Sequence, residues 1–508
     1  MLTTMDAVPL TGPLDSAVLR RVATPLIVTV DPEARARLDR GRRFFHGLLH
    51  GDSGGDASPI YGATTGFGAL VGYAGRPGEA DQCDNTLAHL GAGQGPDLPH
   101  EISRAALLLR TWSLAQGVSG VSAEVVDRLA AMFATTFSPA IPRYGSVGAS
   151  GDLIPLAYAT QALRGRGHAY VDGRRMPADE ALTAAGLRPL TLDGRDALAL
   201  VNGTSVTTAA LALARDSVRG AHRSLMALTC LLADLLGCDP GFLDKDLLRV
   251  YGHPGAADVG ARMRRTLTGI RPSGTRPLQE PYSIRCAPQL LGAAEDALCY
   301  VDAVVTADLR GVSDNPLFFP VLPDDDAEKG KVVHGGNFFG QPAAFAADLL
   351  ASVTAQLGNL AERQLDLLTD PARNGGLPPM LATAPGLQHG LQGVQLASTA
   401  FVAEIRRSAT PAGMQSLPTN LHNQDVVPFG TQAALRSYDM AELLGLLSGS
   451  LALGLRQAVH VGARRPTAPR CAELLDALME VIPPVEPDRP LDADVRAAAR
   501  LLATRELP

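Results

Sequence analysis

The chain has 508 residues, of which 46% are hydrophobic and 19% charged, and its formal net charge is −7. That length and composition predict a globular protein with a large core. The acidic balance, with no basic block, argues against nucleic acid as a partner. Six cysteines, Cys83, Cys230, Cys238, Cys286, Cys299 and Cys471, form no CxxC pair and no cluster with histidine. They predict reduced, mostly buried thiols, a cytoplasmic setting and no metal. Met1 to Leu10 lacks the pattern of a signal peptide. The longest apolar run, Leu443 to Leu455, is shorter than the roughly 20 residues that span a bilayer.

Aromatic residues make up 5% of the chain, and alanine and leucine are plentiful, which favours helix over sheet. Residues 1 to about 30 read as an irregular arm. Asp31 to Leu49 is charged and helix-like. Gly51 to Ser58 is a polar, glycine-rich loop. It leads into Tyr61-Gly62-Ala63-Thr64-Thr65-Gly66-Phe67-Gly68, whose glycines predict a mobile loop. A dinucleotide fingerprint fails there, because Gly66, Gly68 and Gly72 have the wrong spacing and no strand precedes them. Ile102 to Gln116 and Ser122 to Phe133 read as amphipathic helices. Val171 to Leu190 is a short irregular patch with room for a hairpin. Long helices follow from Asn202. The clearest is Ala343 to Leu368, which must stop at Asp370-Pro371. Arg271 to Pro281 and the charged Pro323 to Lys331 read as loops. A domain boundary is placed near residue 200, giving segments 1–200 and 201–508.

Ser146-Val147-Gly148-Ala149-Ser150-Gly151-Asp152-Leu153 is the stretch with unusual chemistry. Three small residues let the backbone fold back on itself, and Gly151 has no Cβ to hinder its nitrogen. Attack of that nitrogen on the Ala149 carbonyl, with loss of two waters, would give a 4-methylidene-imidazol-5-one (MIO). Ser150 would become the electrophilic methylene. Asp152 reads as a helix cap with Pro155 in the first turn, so partial positive charge would lie beside the ring. Alone, these residues would be an ordinary glycine-rich turn.

Their company changes that reading. The octapeptide from Tyr61, Ala149-Ser150-Gly151-Asp152-Leu153 and Val201-Asn202-Gly203-Thr204 occur in order. So do Tyr282-Ser283-Ile284-Arg285-Cys286, Ser313-Asp314-Asn315-Pro316, Gly335-Gly336-Asn337-Phe338 and Asn423-Gln424-Asp425. This series resembles the MIO-dependent aromatic amino-acid and histidine ammonia-lyases from about residue 60 to about 430. The resemblance implies a mainly α fold, an N-terminal domain plus a long-helix bundle with a fumarase/aspartase-type core. It also implies a homotetramer whose sites draw on three subunits, with Tyr61 on an N-terminal loop and Arg285 and Phe338 in the bundle.

The resemblance assigns roles residue by residue. Ala149, Ser150 and Gly151 would form MIO. Tyr61 would be the general base; its phenol, with an ordinary pKa of about 10, would need lowering by nearby donors. Arg285 would hold the substrate carboxylate bidentately, a structural salt bridge being the alternative. Tyr282 would share a face with Arg285 if the segment is helical. Asn202 would hydrogen-bond the ring oxygen. Asn337 and Phe338 would flank ring and carboxylate, and Gly68, Leu153, Asn315 and Gln424 would contact substrate. His89-Leu90 looks like the tyrosine enzymes, since phenylalanine enzymes carry Phe-Leu there and histidine enzymes Ser-His. Asn423-Gln424-Asp425 lacks the Gln-Glu of histidine enzymes. The implied reaction is L-tyrosine to trans-4-coumarate and ammonia.

Other readings stay open at this point. An aminomutase making β-tyrosine would use the same residues, as would a phenylalanine ammonia-lyase. A serine hydrolase is disfavoured because Asp152 stands where a nucleophile elbow needs glycine. A non-catalytic helical scaffold is possible on any fold. Pyridoxal phosphate chemistry is disfavoured, since Lys245, Lys329 and Lys331 are the three lysines and none lies in a buried motif.

Overall fold

The computed structural model describes residues 7–50, 59–321 and 329–505. The Gly51 to Ser58 loop and most of Pro323 to Lys331 therefore lie outside the described residues. The fold is mainly helical. The chain forms two compact units, each discontinuous in sequence. Unit 1 holds Met1–Leu213, Ala303–Ala347 and Pro411–Leu435; unit 2 holds Ala214–Asp302, Asp348–Thr410 and Arg436–Pro508. The first crossing lies between Leu213 and Ala214, and two later segments return to unit 1.

In unit 1 the helix Pro32–Leu49 begins as its sequence predicts. Pro32 suits a first turn, and the Asp31 side chain accepts from the Glu33 and Ala34 amides at 3.1 and 3.0 Å. The N-terminal arm is more regular than expected. It contains the helix Ser16–Arg21 and a parallel pairing of Val8–Pro9 with Val28–Thr29. The helix His100–Ala115 is not amphipathic, because every residue from Ile102 to Ala115 is buried. Its polar residues misled the periodicity. Arg104 lies inside, donating to the carbonyls of Val22, Phe137 and Phe133 at 2.5, 2.6 and 3.1 Å. Burial pulls that guanidinium down to about 10. The patch after Val171 resolves into a hairpin, His168–Val171 with Arg174–Pro177, followed by the helix Ala178–Ala184.

Unit 2 takes its parts of the long helices Ser205–Leu236, Ala287–Asp308, Gln341–Thr369 and Gly430–His460, with Gln392–Ser408 wholly inside it. Gln341–Thr369 stops before Asp370-Pro371, as predicted. Among the described residues, the stretch Asp196–Leu236, not Leu443 to Leu455, is the one long and apolar enough to cross a membrane, but 94% of its apolar window is buried within the protein. Its apolarity serves the core. All six cysteines are free, and Cys83, Cys230, Cys238 and Cys471 are buried.

Candidate active site

Ala149-Ser150-Gly151 lies in unit 1, just before the helix Leu153–Leu163. Gly151 has φ +68, and a Cβ there would stand 2.5 Å from the Gly203 carbonyl oxygen. No other residue fits that backbone without displacing Gly203. Gly203 is itself held closely, since a Cβ on it would meet Arg110 at 2.3 Å. The Gly151 amide donates to the Phe338 carbonyl at 2.9 Å, and the Asp152 amide to the Gly203 carbonyl at 2.8 Å. Ala149 is buried and Ser150 half-buried. The Gln424 amide nitrogen donates to the Ser150 hydroxyl. That bond goes to an amide, not to an imidazole, which removes the ground for a serine hydrolase. Small residues, a left-handed glycine and a close backbone neighbour are the conditions that cyclisation into MIO needs, so the residues present fit the group.

Asp152 does not cap the helix with its side chain. Its carboxylate turns inward and is fully buried. It accepts from the Ser146 and Thr207 hydroxyls at 2.8 and 2.9 Å, the Thr207 amide at 2.9 Å and the Thr431 hydroxyl at 2.7 Å. Among the described residues no cation pairs with it. Burial pushes this carboxyl up against the pull of those donors. Three chain segments thus converge on the residue next to Gly151. Replacing Asp152 with alanine will orphan the Thr207 amide, while the hydroxyls can turn to one another. The expected loss is about 1–3 kcal/mol for that unsatisfied group, measurable by urea unfolding.

Asn202 ends the helix Asp196–Val201 and donates to the Asn315 carbonyl at 2.8 Å. The Asn315 side-chain oxygen accepts from the Gly335 amide at 2.8 Å. A buried cluster fixes this arrangement. Asp314 takes two bonds of 2.9 Å from Arg195, and Arg110 lies 3.4 Å from it. Arg110 also donates to the carbonyls of Ala199 and Ser313 at 2.7 and 2.5 Å. The ends of both asparagine segments are thereby tied together. Burial lowers Arg110 to about 10 despite Asp314. Sequence reading did not single out Arg110 or Arg195. The signal available was Asp314, the one ionisable residue of Ser313-Asp314-Asn315-Pro316, which once buried had to find a cation.

Tyr61 sits in a turn rather than a helix. Its hydroxyl accepts the Gly68 amide at 2.9 Å, and its own amide meets His334 Nε2 at 3.4 Å. Burial raises the phenol, with the Gly68 amide pulling the other way. The expected lowering is therefore absent, because one neutral donor does not offset desolvation. Tyr61 stands edge-on to Phe67, with centroids 6.1 Å apart, and Phe67 stacks on His89 at 5.9 Å. His89 is exposed at the end of the helix Glu79–Ala88, and Leu90 is buried. Leu153, the first residue of its helix, is half-buried.

The turn from Thr419 to Gln424 links these clusters. Thr419 and Gln424 pair as a bridge, and Asn420, Leu421 and His422 all have φ between 52 and 62. A Cβ on Gly68 would meet the Asn420 amide at 1.9 Å. One turn thus touches Tyr61's partner through Asn420 and Ser150 through Gln424. Asn420 was not anticipated, since no periodicity marks a run of left-handed residues. Phe338 is half-buried and Asn337 exposed. Both lie in unit 1 and not in the bundle, because Ala303–Ala347 returns to that unit.

Tyr282 and Arg285 belong to unit 2 and form a helical turn, Tyr282–Arg285. The predicted shared face is present, with the guanidinium 4.5 Å from the Tyr282 ring centroid. Arg285 Nε donates to the Glu280 carbonyl at 2.9 Å. Among the described residues no carboxylate pairs with Arg285, so a structural salt bridge is not its role there. Arg276 pins Glu280, with Nε 2.8 Å from Oε1. The buried Gln364 donates to the Ser283 carbonyl at 2.8 Å. Both hold the turn and leave the terminal guanidinium nitrogens for another partner. Tyr282 is 71% exposed.

A family profile described as aromatic amino acid lyase matches residues 14–480. The chain belongs to the aromatic amino acid lyase family. It is 40% identical to a tyrosine ammonia-lyase of Cereibacter sphaeroides over 87% of this chain and 88% of that one. It is 38% identical to a histidine ammonia-lyase of Sorangium cellulosum over 94% of each. Among solved structures, a tyrosine aminomutase from Streptomyces globisporus superposes with TM-score 0.88 at 30% identity, covering 98% of this chain and 97% of that one. Lyase-family membership thus joins relatives named for two substrates and two reaction outcomes. Overall likeness does not choose among them; the residues at the site must.

Proposed function

We propose that the protein removes ammonia from L-tyrosine to give trans-4-coumarate. The observation that carries the substrate choice is the hydrogen bond of His89. Its Nδ1 lies 3.1 Å from the Asn85 carbonyl oxygen. A carbonyl can only accept, so Nδ1 carries the proton and a neutral ring presents Nε2 as an acceptor. An acceptor is what the O–H of a para-phenol requires. The chain Tyr61–Phe67–His89 sets that acceptor on the same aromatic cluster as the base.

Ala149, Ser150 and Gly151 would provide MIO, which supplies an electrophile for the substrate amine. The chain's own residues do the rest. Tyr61 as phenolate takes the β-proton, and Arg285 holds the carboxylate through its free fork. Asn202, Asn315 and Gln424 keep the tripeptide segment and its neighbours in register, while Gly68, Leu90, Leu153, Asn337 and Phe338 shape the substrate's surroundings. Tyr282, stacked under Arg285, would complete the site from another copy of the chain, which makes the active form a homotetramer. Sedimentation of a fully active monomer would count against that assembly. Six free cysteines suit a cytoplasmic setting.

The test is incubation with L-tyrosine, L-phenylalanine and L-histidine, following product absorbance and mass. Coumarate as main product supports the reading; β-tyrosine would support the aminomutase, toward which the likeness to a tyrosine aminomutase points. His89→Phe tests the selector. The variant removes the acceptor, so bound tyrosine buries an unpaired hydroxyl. An unsatisfied group costs about 1–3 kcal/mol, or roughly 5- to 150-fold in kcat/KM. The tyrosine-to-phenylalanine ratio should fall by that factor; an unchanged ratio removes His89 from the selector role.

A further inference from the structure

We propose that His46, His50 and Glu79 form a binding site for a divalent transition-metal ion of the zinc class, separate from the reaction site. His46 and His50 are four residues apart at the end of the helix Pro32–Leu49, so they share a face. Their rings lie parallel, with centroids 5.8 Å apart and planes at 6°. Glu79 is the first residue of the helix Glu79–Ala88. One ligand atom from each of the three lies within 4.8 Å of the others. Two imidazoles and a carboxylate are a ligand set that zinc uses, at bond lengths of about 2.0–2.2 Å. Closing the triangle to such bonds needs small side-chain rotations, and His50 is exposed enough to make them.

The local charges ask for a cation. One Glu79 oxygen stands 3.8 Å from His50 Nε2. The other, Oε2, is buried and has no hydrogen-bond partner among the described residues. Asp193 and Asp196 add two more carboxylates nearby, and Arg42 is shared between them at 3.4 and 3.3 Å. Three acids around one arginine leave an excess of negative charge that a dication would neutralise. The site would tie the end of one helix to the start of the next, at either side of the connection that carries Tyr61.

The full-length protein, stripped with chelator, is titrated with ZnCl₂ by calorimetry and melted with and without the metal. The expected result is one saturable Zn²⁺ per chain and a higher Tm with zinc. His50→Ala should weaken binding about 100-fold or more, since losing even outer-shell partners costs 10- to 100-fold. Glu79→Gln, which keeps the shape, should also weaken it. Cys299→Ser, removing an exposed thiol, should not. Absence of saturable binding would overturn the proposal, leaving a simple His50–Glu79 ion pair. Equal affinity in His50→Ala would overturn it as well, placing the metal elsewhere.

Discussion

Tyr61→Phe will lower kcat by about 10²- to 10⁴-fold, the range for loss of a positioned general base. The substitution removes one oxygen. The Gly68 amide then loses its acceptor, which costs about 1 kcal/mol of stability, so the fold will persist. The phenol's environment sets the pH dependence. Burial raises it above its ordinary value, against the Gly68 amide. A raised pKa means less phenolate at neutrality. Activity of the wild type should therefore climb with pH on the alkaline side and level off once the phenol has ionised. The residual activity of Tyr61→Phe should lack that climb. A variant that retains most wild-type turnover, or an unchanged alkaline limb, would assign the base elsewhere.

Ser150→Ala will lower activity by at least about 10³-fold, equivalent to about 4 kcal/mol of barrier at 1.36 kcal/mol per tenfold. Without the hydroxyl no dehydration can give the exocyclic methylene. The fold should survive, because the change leaves the Gly151–Gly203 approach and the Asp152 network untouched. Gln424 loses its partner at Ser150, but the half-buried amide can turn to water. Comparison with Asp152→Ala separates chemistry from architecture. That variant should lose stability as well as activity, whereas Ser150→Ala should lose activity alone.

Much of this was legible from the residues. Asp31-Pro32 marks a helix start and Asp370-Pro371 a helix stop by local chemistry, and both fall where expected. The order of the motifs from Tyr61 to Asp425 identifies the family, and the structure sets Ser150 beside Gln424 and Asn202 beside Asn315. What escaped has physical reasons. The two units are interleaved, and four of their five crossings fall inside helices, so no proline- or glycine-rich linker marks them. Asp152 looks like a cap because short acids usually cap, yet long-range bonds to Thr207 and Thr431 compete successfully for its oxygens. The helix His100–Ala115 carries arginines on what reads as a polar face. Arg104 and Arg110 are buried because backbone carbonyls from distant segments accept their hydrogen bonds. A pattern of sequence periodicity holds no information about such partners. The Thr419–Gln424 turn is a fourth case, where three left-handed residues carry no common composition.

The central claim is that Ala149-Ser150-Gly151 becomes the electrophile on which an aromatic amino acid is deaminated. Intact-mass measurement of the purified, active protein tests it most directly. The wild-type chain should be lighter than its sequence by two waters, the stoichiometry of ring closure and serine dehydration, and Ser150→Ala should not lose both. A fully active protein with its complete, unmodified mass would contradict the account.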